Sequence, residues 1–306
     1  MRANSFATAV VSLLLIISLS LFPSAASQED DWPIGKEWLY YYLDEFDQAA
    51  FIGQWRYICV GETEWSLKGT EVEVVKYISY IFTNATGTSE GMQLSGNWDL
   101  YSEEYYDVDS GYLVAYVINE TMNLRAEDYL DSYEWNYSQH NVTEFLPPGG
   151  TGYEPFDLEE GTIWTKNYTQ ESTSVGEFNG EPFEEHSIYT EQVQYTFKGY
   201  EMITVPAGEF FCSVYESEYE DGSIQTQYYS SRAENLVKII EYFGPDETIT
   251  ISLESYGEVK NTVPSTLEIS PVAGVIFLSF IGATAVATVI AASIVRKKKE
   301  TPPGFA

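Results

Sequence analysis

The sequence holds two cysteines, Cys59 and Cys212, and their thiols are the first candidates for covalent chemistry. Cys212 alternates with Phe210 and Cys59 with Tyr57, a pattern typical of the buried face of a β-strand. No basic residue near Cys212 in the chain would stabilise a thiolate, so we do not expect a reactive nucleophile. Two cysteines outside a cell usually pair, and we therefore expect a disulfide between them; two separate buried thiols are the alternative.

A second candidate nucleophile is Ser89, the centre of a Gly-x-Ser-x-Gly motif at residues 87–91. A hydrolase nucleophile of this kind needs a buried strand before the serine and a helix after it. Here a glycosylation sequon at Asn84 precedes the motif, and the residues that follow it, MQLSGNWDLY, have no helical period. We interpret the segment as a glycosylated loop, and we assign no catalytic residue.

The acidic and imidazole side chains provide one metal candidate. Asp107 and Asp109 have the spacing of a calcium loop, although the third acid and the distant bidentate glutamate are missing. His140 lies between two sequons, and His186 follows two glutamates without the second His or Cys that zinc prefers. We therefore expect at most weak calcium binding at Asp107 and Asp109, and no other cofactor.

Both ends of the chain carry targeting signals. Residues 1–27 combine one Arg, an apolar run and a small-residue cleavage site, and they predict a secretory signal peptide. Residues 272–295 are uncharged over 24 positions, long enough for a transmembrane helix, and four basic residues open the tail, 296–306. Because basic residues stay on the cytoplasmic side, we predict a type I single-pass protein of the cell membrane with an extracellular ectodomain.

The predicted ectodomain, residues 28–270, is strongly acidic. It holds 46 acidic residues against 10 basic ones, and hence a formal net charge of −36. Such a surface repels phosphate backbones, which excludes nucleic acid as a partner. The acidity and the scarcity of cysteine favour an archaeal type of cell envelope.

Five Asn-x-Ser/Thr sequons predict N-glycosylation of this ectodomain. The asparagines are Asn84, Asn119, Asn136, Asn141 and Asn167. Their number exceeds the chance expectation for the chain's content of Asn, Ser and Thr. The excess is typical of a cell-surface glycoprotein.

Composition and alternation predict an all-β, mainly antiparallel ectodomain. Aromatic residues make up 16% of the sequence, and Tyr leads them. The segments VQYTFK (193–198) and TITISLESY (248–256) alternate apolar and polar residues, as half-buried strands do. The pair at 221–222, Asp-Gly, predicts a two-residue hairpin turn. A short helix is expected at residues 125–135.

Two spacings indicate an internal duplication. The form Gly-x-x-Trp-x-x-x-Tyr occurs at residues 35–42 and again at 161–168. A Tyr-Tyr pair also precedes a Leu-Val pair by the same interval at 105–114 and at 228–237. We therefore predict two tandem repeats.

These spacings, together with the composition, divide the chain into segments. A first β-rich repeat, 28–145, precedes a Pro/Gly linker, 146–160, and a second β-rich repeat, 161–257. A stalk, 258–271, then leads to the predicted transmembrane helix.

The second repeat also carries a family resemblance. The run VPAGEFFCSVYE, followed by QYYSSRAENLVK and closed by LESY, resembles the C-terminal half of bacterial lipoprotein-carrier (LolA-like) envelope domains. The resemblance covers mainly residues 161–256 and, loosely, 33–120. It implies two curved-sheet, half-barrel-like repeats around an apolar hollow that can hold an acyl chain or a partner, and it implies no catalytic residue.

These features predict a non-enzymatic, membrane-anchored surface protein whose ectodomain serves binding or envelope architecture, with a lipid, a glycan or an envelope protein as its ligand. The alternative is a membrane-tethered carrier of lipid or lipoprotein acyl chains in a half-barrel groove. An apolar, unfilled groove would favour the carrier. A groove filled by Trp and Tyr would favour the structural or adhesive role.

Overall fold

The computed structural model describes residues 32–46, 48–89, 91–128, 132–146, 158–244 and 247–259. The predicted signal peptide, transmembrane helix and tail lie outside these described residues, as do most of the predicted linker and stalk. Among the described residues, none forms a helix of the length and apolarity needed to cross a bilayer.

The described residues form twelve β-strands. In chain order they are β1 Lys36–Phe46, β2 Gln48–Leu67, β3 Thr70–Ser89, β4 Met92–Asp107, β5 Leu113–Glu127, β6 Ser132–Leu146, β7 Ile163–Phe178, β8 Glu181–Val205, β9 Gly208–Glu218, β10 Ile224–Ser230, β11 Asn235–Gly244 and β12 Glu247–Glu258.

The strands form one closed antiparallel barrel in which each strand pairs with its neighbours in sequence and β1 pairs with β12. The prediction of an all-β, antiparallel fold is therefore confirmed. Strands β1–β6 come from the predicted first repeat and its boundary, and β7–β12 from the second, so both contribute six strands to the same barrel. The division into two half-barrel repeats stays a prediction.

Two local predictions differ from the structure. The helix expected at residues 125–135 is wrong, because its first residues end β5 and its last ones begin β6. The tertiary pairing of these two strands overrides the local helical pattern. The hairpin expected at 221–222 is present between β9 and β10, but its loop is longer than two residues, since Glu218 pairs with Ile224.

Aromatic side chains fill the barrel. A twelve-stranded barrel is wider than the eight-stranded kind that ordinary side chains just fill, so a packed interior demands large residues. The largest fully buried side chains are all aromatic: Trp38, Trp98, Tyr40, Tyr42, Tyr77, Tyr106, Tyr195, Phe51, Phe145, Phe197 and Phe210. Their rings make stacked and tilted contacts, as between Tyr40 and Trp55, whose centroids lie 4.9 Å apart.

Glycines allow neighbouring strands to approach closely where the sheet bends. A Cβ on Gly53 would lie 1.9 Å from the carbonyl oxygen of Phe82 in the next strand. A Cβ on Gly96, whose φ is +141°, would lie 2.0 Å from the carbonyl oxygen of Asn123. A side chain at either position would force these strands apart, so glycine is required for the curvature.

The pairing register of the first six strands recurs in the last six. In the first hairpin of each half, Trp38 pairs with Tyr57 and Trp164 pairs with Tyr195. In the second hairpin, a bulge follows the pairs Cys59–Tyr77 and Phe197–Tyr215, and the next pairs are Gly61–Lys76 and Gly199–Val214. The fourth hairpin of each half also has a bulge. In β4–β5 it separates the pair Tyr105–Ala115 from the pair Tyr106–Leu113. In β10–β11 it separates the pair Tyr228–Lys238 from the pair Tyr229–Leu236.

Two hairpins extend beyond the strands beside them. We call residues 61–74 of the β2–β3 hairpin the first arm, and residues 199–212 of the β8–β9 hairpin the second arm. Each arm starts at its bulge. Its tip is a two-residue turn, at 68–69 in the first arm and at 206–207 in the second. Both lie at the end of the barrel where β1 begins and β12 finishes.

Candidate functional site

The two cysteines lie in the core as separate thiols. Cys59 in β2 and Cys212 in β9 are both buried and free, so the expected disulfide is not formed in this structure. Each thiol has its own packing: Cys59 contacts Tyr77, and the Cys212 Sγ lies 3.7 Å from the carbonyl oxygen of Phe210. Burial raises the pKa of Cys59 to about 12 and that of Cys212 to about 11, so both stay protonated and are poor nucleophiles.

Ser89 is the last residue of β3, and its side chain is buried. It pairs with Met92, the first residue of β4. The motif therefore lies at a strand–turn–strand connection, whereas a hydrolase elbow requires a strand–turn–helix. The segment expected to be a loop is the end of a strand and its turn.

The two histidines lie in separate surroundings. His140 is in β6, where its Nδ1 lies 2.8 Å from the Asn119 Oδ1, and partial burial lowers its pKa. His186 is in β8, where its Nε2 lies 3.5 Å from the Glu171 Oε1. These contacts place the two imidazoles on the outer side of different strands.

Asp107 serves the turn between β4 and β5. Its Oδ1 accepts hydrogen bonds from the backbone N–H of Ser110 at 2.7 Å and from the Ser110 hydroxyl at 2.6 Å. Asp109 is exposed in the same turn. Within the described ranges, no three His, Cys, Asp or Glu side chains are arranged to hold a metal ion. Calcium binding at Asp107 and Asp109 stays a prediction.

The sequons divide into two kinds. Four of the asparagines, Asn84, Asn119, Asn136 and Asn167, are exposed on the outer side of their strands. Asn141 is fully buried, and its Nδ2 donates to the Ser174 Oγ at 2.9 Å. A glycan has no room at Asn141 in the closed barrel.

Buried carboxyl groups are the main chemical feature that the sequence reading missed. Glu104 is 1% exposed. Tyr57 and Tyr106 each donate a hydroxyl hydrogen bond to its Oε2 at 2.8 Å, and Ser102 donates to its Oε1 at 3.3 Å. Burial raises the pKa of Glu104 to about 8, although these donors lower it. The carboxyl group therefore holds its proton at neutral pH.

Glu120 is a second buried carboxyl group, and its hydrogen-bond donor is the indole of Trp98. Its side chain is 4% exposed, and the Trp98 Nε1 donates to its Oε1 at 2.5 Å. Burial raises the pKa of Glu120 to about 8.

A third group of acids surrounds β12. Asp44 in β1 and Glu241 in β11 both pair with Ile249, and they are 1% and 3% exposed. Burial, followed by the neighbouring Glu247, raises the pKa of Asp44 well above its usual value. The Gln225 Nε2 donates to the Glu241 Oε2 at 3.2 Å, but burial still raises the pKa of Glu241.

A polar ladder crosses from β6 to β7. Thr143 donates to the Asn141 Oδ1 at 2.9 Å, and its Oγ1 lies 2.6 Å from the Ser172 Oγ. Together with the bond from Asn141 to Ser174, these contacts join the two strands through side chains as well as through the backbone.

The arrangement of these acids suits structure better than catalysis. Protonated carboxyl groups with raised pKa values can act as general acids when a substrate reaches them. Here Glu104 and Glu120 are almost fully enclosed, and tyrosine, serine and tryptophan donors already use their oxygens. The sequence does contain a pattern that indicates a buried Glu104. Ser102, Glu104 and Tyr106 alternate along β4, and this alternation predicts that all three face inward.

Comparison with known proteins gives no relative: no protein-family model, no curated protein and no solved structure matches the chain.

Proposed function

We propose that the protein is a membrane-anchored, N-glycosylated cell-surface protein whose barrel serves binding or envelope architecture without catalysis. The observation that carries this proposal is the filled barrel interior. Trp38, Trp98 and Tyr77 are 0% exposed, and the Tyr77 ring packs against both Trp38 of β1 and Tyr57 of β2. A filled interior supports a rigid module that acts through its outer surface.

The same observation disfavours the carrier. An acyl chain needs an apolar hollow of its own length, and a barrel packed with aromatic rings would have to expel several of them to hold one. The buried Glu104, Glu120 and Asp44 would add the cost of polar groups against the hydrocarbon.

The exposed sequons support a surface location. Asn84, Asn119, Asn136 and Asn167 are spread over four strands, β3, β5, β6 and β7, with their side chains outward. A glycan at each would leave the barrel pairing intact.

The matched registers support the tandem duplication. The equivalent pairs Trp38–Tyr57 and Trp164–Tyr195, and the bulges repeated after Cys59 and Phe197, follow if six strands were duplicated and then closed on each other. A bulge is a specific local feature, so its repetition at matching positions is informative.

Protease protection tests the anchored topology. Protease added to intact cells is expected to remove residues 28–270 and to leave an epitope on the tail, 296–306, protected. Permeabilised cells are the control, since the epitope must then be lost. Loss of the tail epitope from intact cells would overturn the proposed topology.

A further inference from the structure

The two arms occupy equivalent places in the two halves of the barrel. Adding 138 to each residue number of the first arm gives its counterpart in the second, and the cross-strand pairs agree: Glu62–Val75 with Tyr200–Ser213, Glu64–Glu73 with Met202–Phe211, and Leu67–Thr70 with Val205–Gly208. Each arm can therefore serve as a control for the other.

Both arms pack one side against the barrel. In the first arm, the rings of Trp65 and Tyr105 are in tilted contact with centroids 4.3 Å apart, and Val74 is fully buried. In the second arm, Phe210 and Cys212 are 1% and 0% exposed. The packed sides hold both arms in place.

The outer sides of the arms differ at three equivalent positions. The first arm exposes Glu62, Glu64 and Glu73. The second arm has an apolar residue at each equivalent position, and we call these three the apolar face: Tyr200, Met202 and Phe211, which are 57%, 58% and 62% exposed. The rings of Tyr200 and Phe211 are stacked, with centroids 5.4 Å apart.

The apolar face is not needed to hold its arm. The first arm keeps the same register with glutamates at the equivalent positions, including Glu64 directly opposite Glu73, a like-charge pair that weakens a sheet. Exposed apolar patches on a protein indicate a surface that binds a membrane or another molecule. We therefore infer that these three adjacent apolar side chains are covered by such a partner.

The position of the second arm indicates what covers the face. The arm is fastened to the last strand: the Ala207 N–H donates to the Leu253 carbonyl at 3.0 Å, and Phe210 lies 5.9 Å from the ring of Tyr256. The strand β12 ends at Glu258, only two residues after Tyr256. The second arm therefore lies beside the end of the last strand, which precedes the uncharged stretch at 272–295 in the sequence.

We propose that the apolar face of the second arm rests in the interfacial region of the lipid bilayer that holds residues 272–295. This inference depends on the membrane anchorage of the proposed function. Residues 260–271 reach at most about 40 Å when fully extended, so the tether keeps this end of the barrel near the membrane. Tyrosine and other amphipathic aromatic groups favour the boundary between headgroups and acyl chains. The acidic first arm stays in water.

A lipid surface fits this face better than a second copy of the chain does. Two copies would bring together two ectodomains that each carry a net charge near −36, and their repulsion would oppose association. A zwitterionic lipid surface imposes no such penalty.

The test places an environment-sensitive fluorophore on each arm of the full-length chain in phosphatidylcholine vesicles. Met202→Cys labels the second arm, and Glu64→Cys labels the equivalent position of the first arm. The buried native thiols should not react in the folded protein, and the unsubstituted chain measures any background labelling. Lipid that carries a nitroxide near its headgroup is expected to quench the probe at 202 several-fold more than the probe at 64.

A second variant links the quenching to the face itself. Phe211→Glu in the chain labelled at 202 recreates the acidic side chain of the first arm, and we expect quenching to fall to the level of the probe at 64. Circular dichroism in the near ultraviolet confirms that the barrel is intact. Unchanged quenching in this variant would contradict a role for the face.

Two outcomes would overturn the inference. The first outcome is equal quenching of the probes at 202 and 64. The other is a blue-shifted probe at 202 that nitroxide lipid does not quench, since this would place a protein partner, such as a second copy, on the face. Carbonate extraction separates the failures: a chain released from the vesicles contradicts the proposed anchorage, whereas a retained chain with equally quenched probes contradicts this inference alone.

Discussion

Each buried carboxyl group makes the stability of the barrel depend on pH. Glu104 has a pKa of about 8 in the folded barrel against an ordinary value of 4.5. The folded state therefore binds more protons than the unfolded chain between these values. Stability falls as pH rises through this window, and it levels off above the folded pKa. The loss for one such carboxyl is on the order of 5 kcal/mol.

Glu104→Gln should remove part of this pH dependence. Glutamine has nearly the same shape and stays neutral, so we expect the variant to be no more stable than the parent at about pH 5 and more stable by a few kcal/mol at about pH 9. Urea unfolding at a series of pH values measures the difference. Exposed Glu62→Gln is the control, and it should follow the parent curve. Parallel curves for the Glu104 variant and the parent would show that this carboxyl is not protonated in the fold.

The cysteines should behave as two buried thiols. Their raised pKa values and burial predict that neither Cys59 nor Cys212 is alkylated in the native protein at about pH 8, and that both are alkylated after unfolding without a reductant. Mass mapping of the alkylated peptides measures this. Recovery of a Cys59–Cys212 cross-linked peptide from never-reduced protein would support the disulfide expected from the sequence instead.

Asn141 should escape glycosylation. Its side chain faces the interior with Tyr137 and Phe145, and a glycan there would prevent β6 from closing on β7. Glycopeptide mapping of protein from its native source is expected to find sugar on the outward sequons, such as Asn119 and Asn136, and none on Asn141. A modified Asn141 in folded protein would contradict the inward orientation of this residue.

Alternation in the sequence predicted the strands, but it did not predict that they close into one barrel. Alternation placed Val193, Tyr195 and Phe197 on one buried face, and all three are at most 2% exposed. Closure depends on the pairing of β1 with β12, whose residues are more than two hundred positions apart, and no local pattern encodes that contact. The buried acids were missed because charge alone suggested a solvated surface, whereas their strand parity points inward.

The first arm should detach when its anchor is removed. The Trp65 indole packs at a tilt against Tyr105 and donates to the Glu144 Oε1 at 3.3 Å, and Lys68 forms an ion pair with Glu171 at 2.5 Å. We expect Trp65→Ala to lower the free energy of unfolding by about 2 kcal/mol.

Hydrogen exchange locates the effect of this substitution. Amides of residues 61–74 should exchange much faster in Trp65→Ala, while those of the second arm keep their protection. Glu62→Ala, on the exposed side of the same arm and opposite the uncharged Val75, is the matched control and should leave exchange unchanged. An unaltered exchange pattern in Trp65→Ala would show that the arm is held by its backbone pairing alone.

The barrel combines a packed aromatic interior with a strongly acidic chain. Buried Glu104, Glu120, Asp44 and Glu241 are all shifted towards the protonated form, so mildly acidic surroundings favour the folded state and alkaline ones oppose it.

Native mass spectrometry of the full-length protein, purified from its own membrane, tests the filled barrel most directly. We expect the mass of the processed polypeptide plus its glycans, with no acyl-chain ligand retained at one copy per chain after the detergent is removed. A stoichiometric lipid that survives this treatment would contradict a filled interior and would favour the carrier.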